Sequence, residues 1–227
     1  MKKTTPKTPN THCSEDLCTR ARIIEAAGKL FAEKGYDRTT AREVSELAAV
    51  NPAAVNYHFG GKERLYIEAA READRRLFNG DMLRRTLDEP TSPEQKLSDF
   101  LLEMTKSLLD PSPDNWSSKL IAREMSAPTN ALFEVIASEM KPNSALLKQI
   151  ISRVMGLPDD DPAVLRGLLL CTSAAPFVYD NRIIFENIFA GFTINDEWIE
   201  KFAEDANHFA ISGLHALAEK TRRDRQQ

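Results

Sequence analysis

The side chains best suited to chemistry lie in the stretch from Thr39 to Lys62, TTAREVSELAAVNPAAVNYHFGGK. Arg42, Asn51, Ala53, Ala54 and Asn56 offer a guanidinium, two amides and two methyls, the groups that read base edges and the thymine methyl in a major groove. Two helix-start signals set their spacing. Thr40 caps one helix, and Glu43 three positions later completes a capping box. Val44, Leu47 and Ala48 then form one inward stripe. Asn51 caps the next helix and Pro52 suits its first position. Caps this close leave only a short turn, the geometry of a helix-turn-helix. In the second helix, about Pro52 to Phe59, Val55 and Phe59 form the inward side. Ala53, Ala54, Asn56, Tyr57 and His58 form the side that suits a groove. Gly60 and Gly61 break the chain, and Lys62 opens a long helix.

Catalytic and metal chemistry find little support. The four histidines are His12, His58, His208 and His215. No Ser/His/Asp order, phosphate-cradling glycine loop or His/carboxylate metal spacing accompanies them. His208 and His215 can share one helix face, as a surface or interface pair. Cys13, Cys18 and Cys171 make an odd count, which fits reduced thiols of the cytoplasm better than a disulfide framework. The expectation is a non-enzyme without cofactor or metal. The polar N-terminus lacks an apolar signal segment, and no apolar run is read as spanning a bilayer, so export and membrane partners are not expected. Net charge over 227 residues is −4. Residues 1–64 hold 11 Lys+Arg against 8 Asp+Glu, and the remainder 19 against 26, so a mildly basic head precedes an acidic body.

The elements that position these groups read as helices throughout. Residues 1–14 carry no apolar pattern and are expected to be a disordered tail. A first helix, about Leu17 to Lys34, buries Ile23, Ala27, Leu30 and Phe31 and ends at Gly35. The fourth, from Lys62 to about Arg85, carries Leu65, Tyr66 and Ala69 toward the head and Leu77, Phe78 and Met82 further on. Helices follow at Pro93–Leu109 and Asn115–Ser126. Thr129 starts a long helix kinked near Pro142 and ended by Gly156. Another starts at Asp161-Pro162, with Leu165, Leu168, Leu169, Thr172 and Ala175 as its stripe. Asn181–Asn195 reads as a packed connection with short helical pieces. The last helix, Asp196 to about Lys220, carries a heptad seam of Ile199, Phe202, Ala206, Phe209, Gly213 and Ala216, with Leu214 and Leu217 as a second stripe. With no strand pattern, the chain is expected to be all-α: a head at 15–66, a helical body at 67–220 and a charged tail at 221–227.

The ordered run Phe31-Ala32-Glu33-Lys34-Gly35-Tyr36, Thr39-Thr40, Ala48-Ala49-Val50, Val55-Asn56-Tyr57-His58-Phe59 and Lys62-Glu63 resembles the DNA-binding domain of TetR family transcriptional regulators, over roughly residues 17–66. Ala49 stands where that family usually has the turn glycine, and Asn51, Asn56 and Gly61 also depart from it. Ser118 to Thr129, the helix around Pro142 and the Gly156-to-Pro162 loop resemble the C-terminal domain of CecR-like members. The resemblance implies double-stranded operator DNA as partner, a homodimer, and a small-molecule effector in the C-terminal domain. It also implies control of transport or drug-sensitivity genes. It places Thr40, Tyr57, His58 and Lys62 on phosphates. Thr40 also reads as a plain cap, and His58 as a partner of the helix dipole.

Candidates for the effector pocket are Phe100, Met104, Trp116, Ile121, Met125, Phe133, Met140 and Phe177, with the gap expected against the bend at Pro142. Plain core is the competing reading for each. Arg123 and Glu124 read either as ligand anchors or as surface partners. A ligand-responsive repressor is thus weighed against a helical enzyme and a ligand-independent DNA binder.

Overall fold

The computed structural model describes residues 15–78, 80, 83–84 and 90–226. The tail expected at 1–14, Met82 and the end of the fourth helix near Arg85 lie outside them. Among the described residues every regular element is helical: α1 (Glu15–Lys34), α2 (Ala41–Leu47), α3 (Ala53–Phe59), α4 (Lys62–Phe78), α5 (Pro93–Leu109), α6 (Trp116–Ser126), α7 (Asn130–Val135), α8 (Lys141–Met155), α9 (Pro162–Thr172), α10 (Ala174–Ile188) and α11 (Asp196–Asp224). Local chemistry starts many of them. Ser92, Asn115, Thr129, Asp161 and Asn195 each accept a hydrogen bond from the first turn of the helix that follows.

The head does not bury a core by itself, as its size requires. Val44, Val55 and Phe59 pack with Phe31, Leu65 and Tyr66, and the same cluster continues into Trp116, Leu120 and Val135 of the body. α4 is unbroken across the boundary expected at residues 66/67. Trp116 is only 2% exposed. Its ring lies so near α1 that a Cβ on Gly28 would stand 2.4 Å from it, so glycine is required there for the two helices to meet. A second core, centred on Leu101, Ile150, Ile151, Val154, Val164 and Leu214, belongs to the body alone.

Two polar groups that were read as anchor or surface candidates belong to this joint. Glu124 is buried. It accepts hydrogen bonds from the Tyr66 hydroxyl of α4 and from the Thr129 backbone N–H (3.1 Å) and hydroxyl. Arg123 reaches the Glu33 carbonyl near the end of α1 at 3.4 Å. The last residues of the chain are likewise more than a charged tail. Arg222 donates to the Met155 carbonyl at 2.5 Å and Arg225 pairs with Asp161, tying α11 to the end of α8 and the start of α9.

The bend at Pro142 takes a definite form. Ile136–Met140 is a π-helical turn, in which the Lys141 N–H reaches back to the Ile136 carbonyl. Proline at 142 supplies no N–H to the turn before it, and the wider turn takes up the break.

Several expectations about faces are corrected. Leu47 is exposed, leaving Val44 and Ser45 as the buried residues of α2. Residues 174–188 form α10, so the connection shrinks to 189–195. In α9 the buried residues are Ala163, Val164, Gly167 and Cys171, whereas Leu165, Leu169 and Leu170 face outward. In α11, Ile199, Ala203, Ala210, Leu214 and Ala218 face the core, and Phe209 is 81% exposed. Pro162–Ile188 is also long and apolar enough to cross a membrane by length and composition, against the sequence expectation. The reason is that α9 and α10 nearly abut at Ser173 and each carries apolar residues on an outward face as well as an inward one.

Candidate DNA-binding face and effector cavity

The capping box at α2 is complete. Glu43 N–H donates to Thr40 Oγ1 at 3.2 Å, and Thr40 N–H donates to Glu43 Oε2 at 2.8 Å. Lys34 completes the arrangement at 2.8 Å from Glu43 Oε1. Hydrogen bonds from Lys34 and then from Thr40 hold the Glu43 carboxyl down to about 2, so it stays charged through the ordinary carboxylate range as well as near neutral pH. Thr40 is therefore a cap whose backbone and hydroxyl stay at the surface.

α3 begins one residue later than expected, at Ala53, yet Asn51 still caps it, because Ala53 N–H donates to Asn51 Oδ1 at 2.8 Å. Val55 and Phe59 are buried, while Asn51, Ala53, Asn56 and Tyr57 are exposed and Ala54 is half-buried. Arg42 is exposed on α2 and its Nε is paired with Glu46 at 2.9 Å, which leaves the terminal guanidinium N–H groups for a base contact. His58 departs from the face. Its ring is largely covered and lies 3.7 Å from Asp16 of α1, closer to a structural role than to a free phosphate contact. Lys62 sits at the start of α4 with its ammonium 4.2 Å from the centroid of the Tyr36 ring, a cation–π contact that aims it beside the helix N-terminus.

Arg22 went unnoticed in the sequence. From α1 it donates to the carbonyls of Ala48 and Ala49, at 2.5 and 2.7 Å, and holds the turn between α2 and α3. Ala49 there has φ +51°, the one non-glycine residue with positive φ among those described. The left-handed region costs an L-residue roughly 1–2 kcal/mol, against about 0.4–1 kcal/mol that glycine loses through the unfolded chain. Ala49→Gly is therefore expected to stabilise the protein by about 0.5–1 kcal/mol, seen as a rise of roughly 1–4 °C in melting temperature. A lower melting temperature would show that Arg22 and the packed turn prefer the methyl.

The body contains a cavity of about 170 Å³ against the π-helical turn. Met140, Asn143, Ser144 and Leu147 come from the bend and α8, Phe100 and Met104 from α5, Leu168 and Thr172 from α9, and Asp74 and Phe78 from α4, with Leu83 beside them. Of the eight pocket candidates, Phe100, Met104 and Met140 line it. The other five do not. Trp116 and Ile121 belong to the core that joins head and body. Met125, Phe133 and Phe177 are 60% exposed or more, because the helical period places a side chain on a stripe without saying which stripe faces inward. Asp74 was missed, although its signal was present: a carboxylate on the buried stripe of α4 that runs through Ala70, Ala73 and Leu77. Met140→Trp is expected to fill much of the space.

Three comparisons bear on this geometry. Residues 23–69 match the model of the family described as bacterial regulatory proteins, tetR family, and residues 93–214 match the C-terminal domain of the HTH-type transcriptional dual regulator CecR. The chain is 30% identical over 158 residues to CecR of Shigella flexneri, covering 64% of this chain and 69% of that protein. It is 35% identical over 79 residues to the HTH-type transcriptional repressor AcnR of Corynebacterium efficiens, spanning 32% of this chain and only 42% of that repressor's length. Its fold is similar to that of the transcriptional regulator FadR from Bacillus subtilis, determined in complex with stearoyl-CoA: TM-score 0.61 at 14% identity, covering 85% of this chain and 98% of that one.

Proposed function

The chain belongs to the tetR family of bacterial regulatory proteins, and from that premise we propose that it is a homodimeric repressor released from operator DNA when a small, largely apolar molecule enters the cavity beside α4. One observation carries this reading. α4 starts at Lys62 on the DNA side and bears Asp74 and Phe78 in the cavity wall. A helix of 17 residues is about 25 Å long and rigid on that scale. A ligand that favours one tilt of α4 thereby changes how the two heads meet successive major grooves.

The relatives support the DNA end of the proposal: AcnR is named a repressor and CecR a dual regulator. FadR, of similar fold, was determined in complex with stearoyl-CoA, but the cavity here is small. At about 170 Å³ it is close to the ~150 Å³ engineered cavity that takes benzene, so the effector is an aromatic or short aliphatic compound rather than a long acyl chain. Control of transport or drug-sensitivity genes remains part of the proposal through the CecR-like half, and DNA binding assigns the protein to the cytoplasm. The dimer uses the outward faces of α9, α10 and α11, which also account for the apolar stretch at 162–188 without a membrane.

The test is a thermal-shift screen of small apolar compounds, followed by operator binding with and without each hit. Met140→Trp is expected to keep wild-type operator affinity yet fail to release DNA when a hit is added. Normal release by this variant would move the effector site elsewhere. If no compound changes DNA affinity, a ligand-independent DNA binder is left. At the DNA face, Lys62→Ala is expected to weaken all DNA sequences alike and to lower the slope of log affinity against log salt by about 0.9 per head, one phosphate contact. Selective loss at one base pair with an unchanged slope would remove Lys62 from the phosphate role.

A further inference from the structure

The cavity wall holds a group whose hydrogen-bonding capacity is unspent. Asp74 is 0% exposed, and neither of its carboxylate oxygens has a hydrogen-bond partner among the described residues. Asn143, also buried in the same wall, leaves Oδ1 without one as well. The hydroxyl of Thr172 is already committed to the Leu168 carbonyl at 2.9 Å. Apart from the Ser144 hydroxyl, the rest of the lining is apolar, with Phe78, Phe100, Met104 and Leu147 among it, and no described residue of the lining is Lys, Arg or His. Arg75, the neighbour of Asp74 in sequence, points instead to Glu139 at 2.7 Å.

A buried acid without a partner is costly in either state, most of all when charged. Burial, with the Glu139 charge adding to it, pushes the Asp74 carboxyl up to about 7. The wall thus combines apolar contact surface with acceptor oxygens that no protein group satisfies as it stands, and its one ionisable group is an acid, which suits a donor cation better than an acidic ligand group.

We propose that the effector is an amine, with a small apolar body against Phe100, Met104 and Leu147 and a protonated nitrogen docked on the Asp74 carboxylate. This rests on the effector reading of the same cavity. It also gives that reading a lever: Asp74 lies about three turns beyond Lys62 on the same helix, so the charged contact pulls on the element that carries the DNA-binding start of α4.

The test uses the full chain and three probes of similar shape: 2-phenylethylamine, 2-phenylethanol and phenylacetate. Calorimetry on the wild type is expected to rank the amine at least about tenfold tighter than the alcohol, since hydrogen bonds to a charged group are the stronger class, with phenylacetate weakest. Asp74→Asn keeps the shape of the side chain and removes the charge. It is expected to lose about tenfold in amine affinity while binding the alcohol unchanged, the factor again being that of a charged contact. Should this variant misfold, the wild-type ranking decides alone. An alcohol or carboxylate that binds the wild type as tightly as the amine overturns the proposal, as does unchanged amine affinity in a folded Asp74→Asn protein. If the alcohol binds, is blocked by Met140→Trp and releases DNA without any amine preference, the effector cavity stands and this inference falls. If none of the three binds, both fall.

Discussion

Phe209→Glu is expected to convert the protein to monomers and to reduce operator affinity by about 10²–10⁴-fold, the gain that two linked heads have over one. Phe209 is 81% exposed on α11. α9, which packs on the same helix, and α10 expose Leu165, Leu169, Leu170, Phe177, Ile183, Ile184 and Ile188. An isolated exposed leucine means little, but this many on adjoining helices are what the proposed dimer would cover. Gly213 and Ala216 are exposed on the same helix, and small residues let a second helix approach closely. A carboxylate at 209 would have to be desolvated in that seam, whereas in a monomer it stays in water. The protomer itself should tolerate the change, because an exposed side chain contributes little core packing. Sedimentation and fluorescence anisotropy on labelled operator would report both effects together. An intact dimer with wild-type DNA binding would show that the copies meet elsewhere.

Trp116→Ala is expected to destabilise the protein by about 3–5 kcal/mol, the range for a large aromatic removed from a packed core. The corresponding fall in melting temperature is on the order of 10 °C for a chain of this size. Trp116 fills the junction of α1, α4 and α6, with the Arg76 guanidinium over its ring at 4.7 Å from the centroid. The distinctive part of the expectation concerns Gly28. In the wild type, Gly28→Ala drives a methyl toward the indole, and overpacking of this kind costs about 1–3 kcal/mol. In the Trp116→Ala background the same substitution should stabilise by up to about 1 kcal/mol, because alanine is the better helix former and the methyl then has space. Thermal unfolding of the four proteins gives the cycle. Additive effects would show that the two residues do not press on one another. Because this junction links head to body, the Trp116→Ala protein is also expected to respond less to an effector than its residual DNA binding would suggest.

Local chemistry made much of the head legible. The Thr40–Glu43 capping box, the Asn51 cap and the glycines after Phe59 are short-range interactions, and each formed where the residues stand. The all-α class followed from period alone, and the tetR-type order of motifs from Phe31 to Glu63 was specific enough to point to the family. At Pro142 the sequence marked a break, although not the π-helical turn that takes it up. The outward seam was legible only in part. A heptad was visible in the last helix, but Ile199 of that series turned inward and Phe209 outward.

What the sequence by itself determined is therefore where many helices begin and end, how the groups of the candidate DNA-binding face are ordered, and that two sets of apolar stripes exist. Hydrogen-bonding caps and side-chain period act over a few residues, so a linear reading contains them. Which stripe faces the core was decided only in the tertiary structure. Leu165 and Leu169 against Val164 and Cys171, or Met125 and Phe133 against Leu120 and Val135, differ by a rotation that both periods allow. The choice depends on the volume left between helices that are far apart in sequence. The same holds for the cavity, whose walls come from α4, α5, α8 and α9, and for Asp74. Its buried stripe was visible in the sequence, but only the arrangement of those helices leaves its carboxylate unpartnered at the cavity wall.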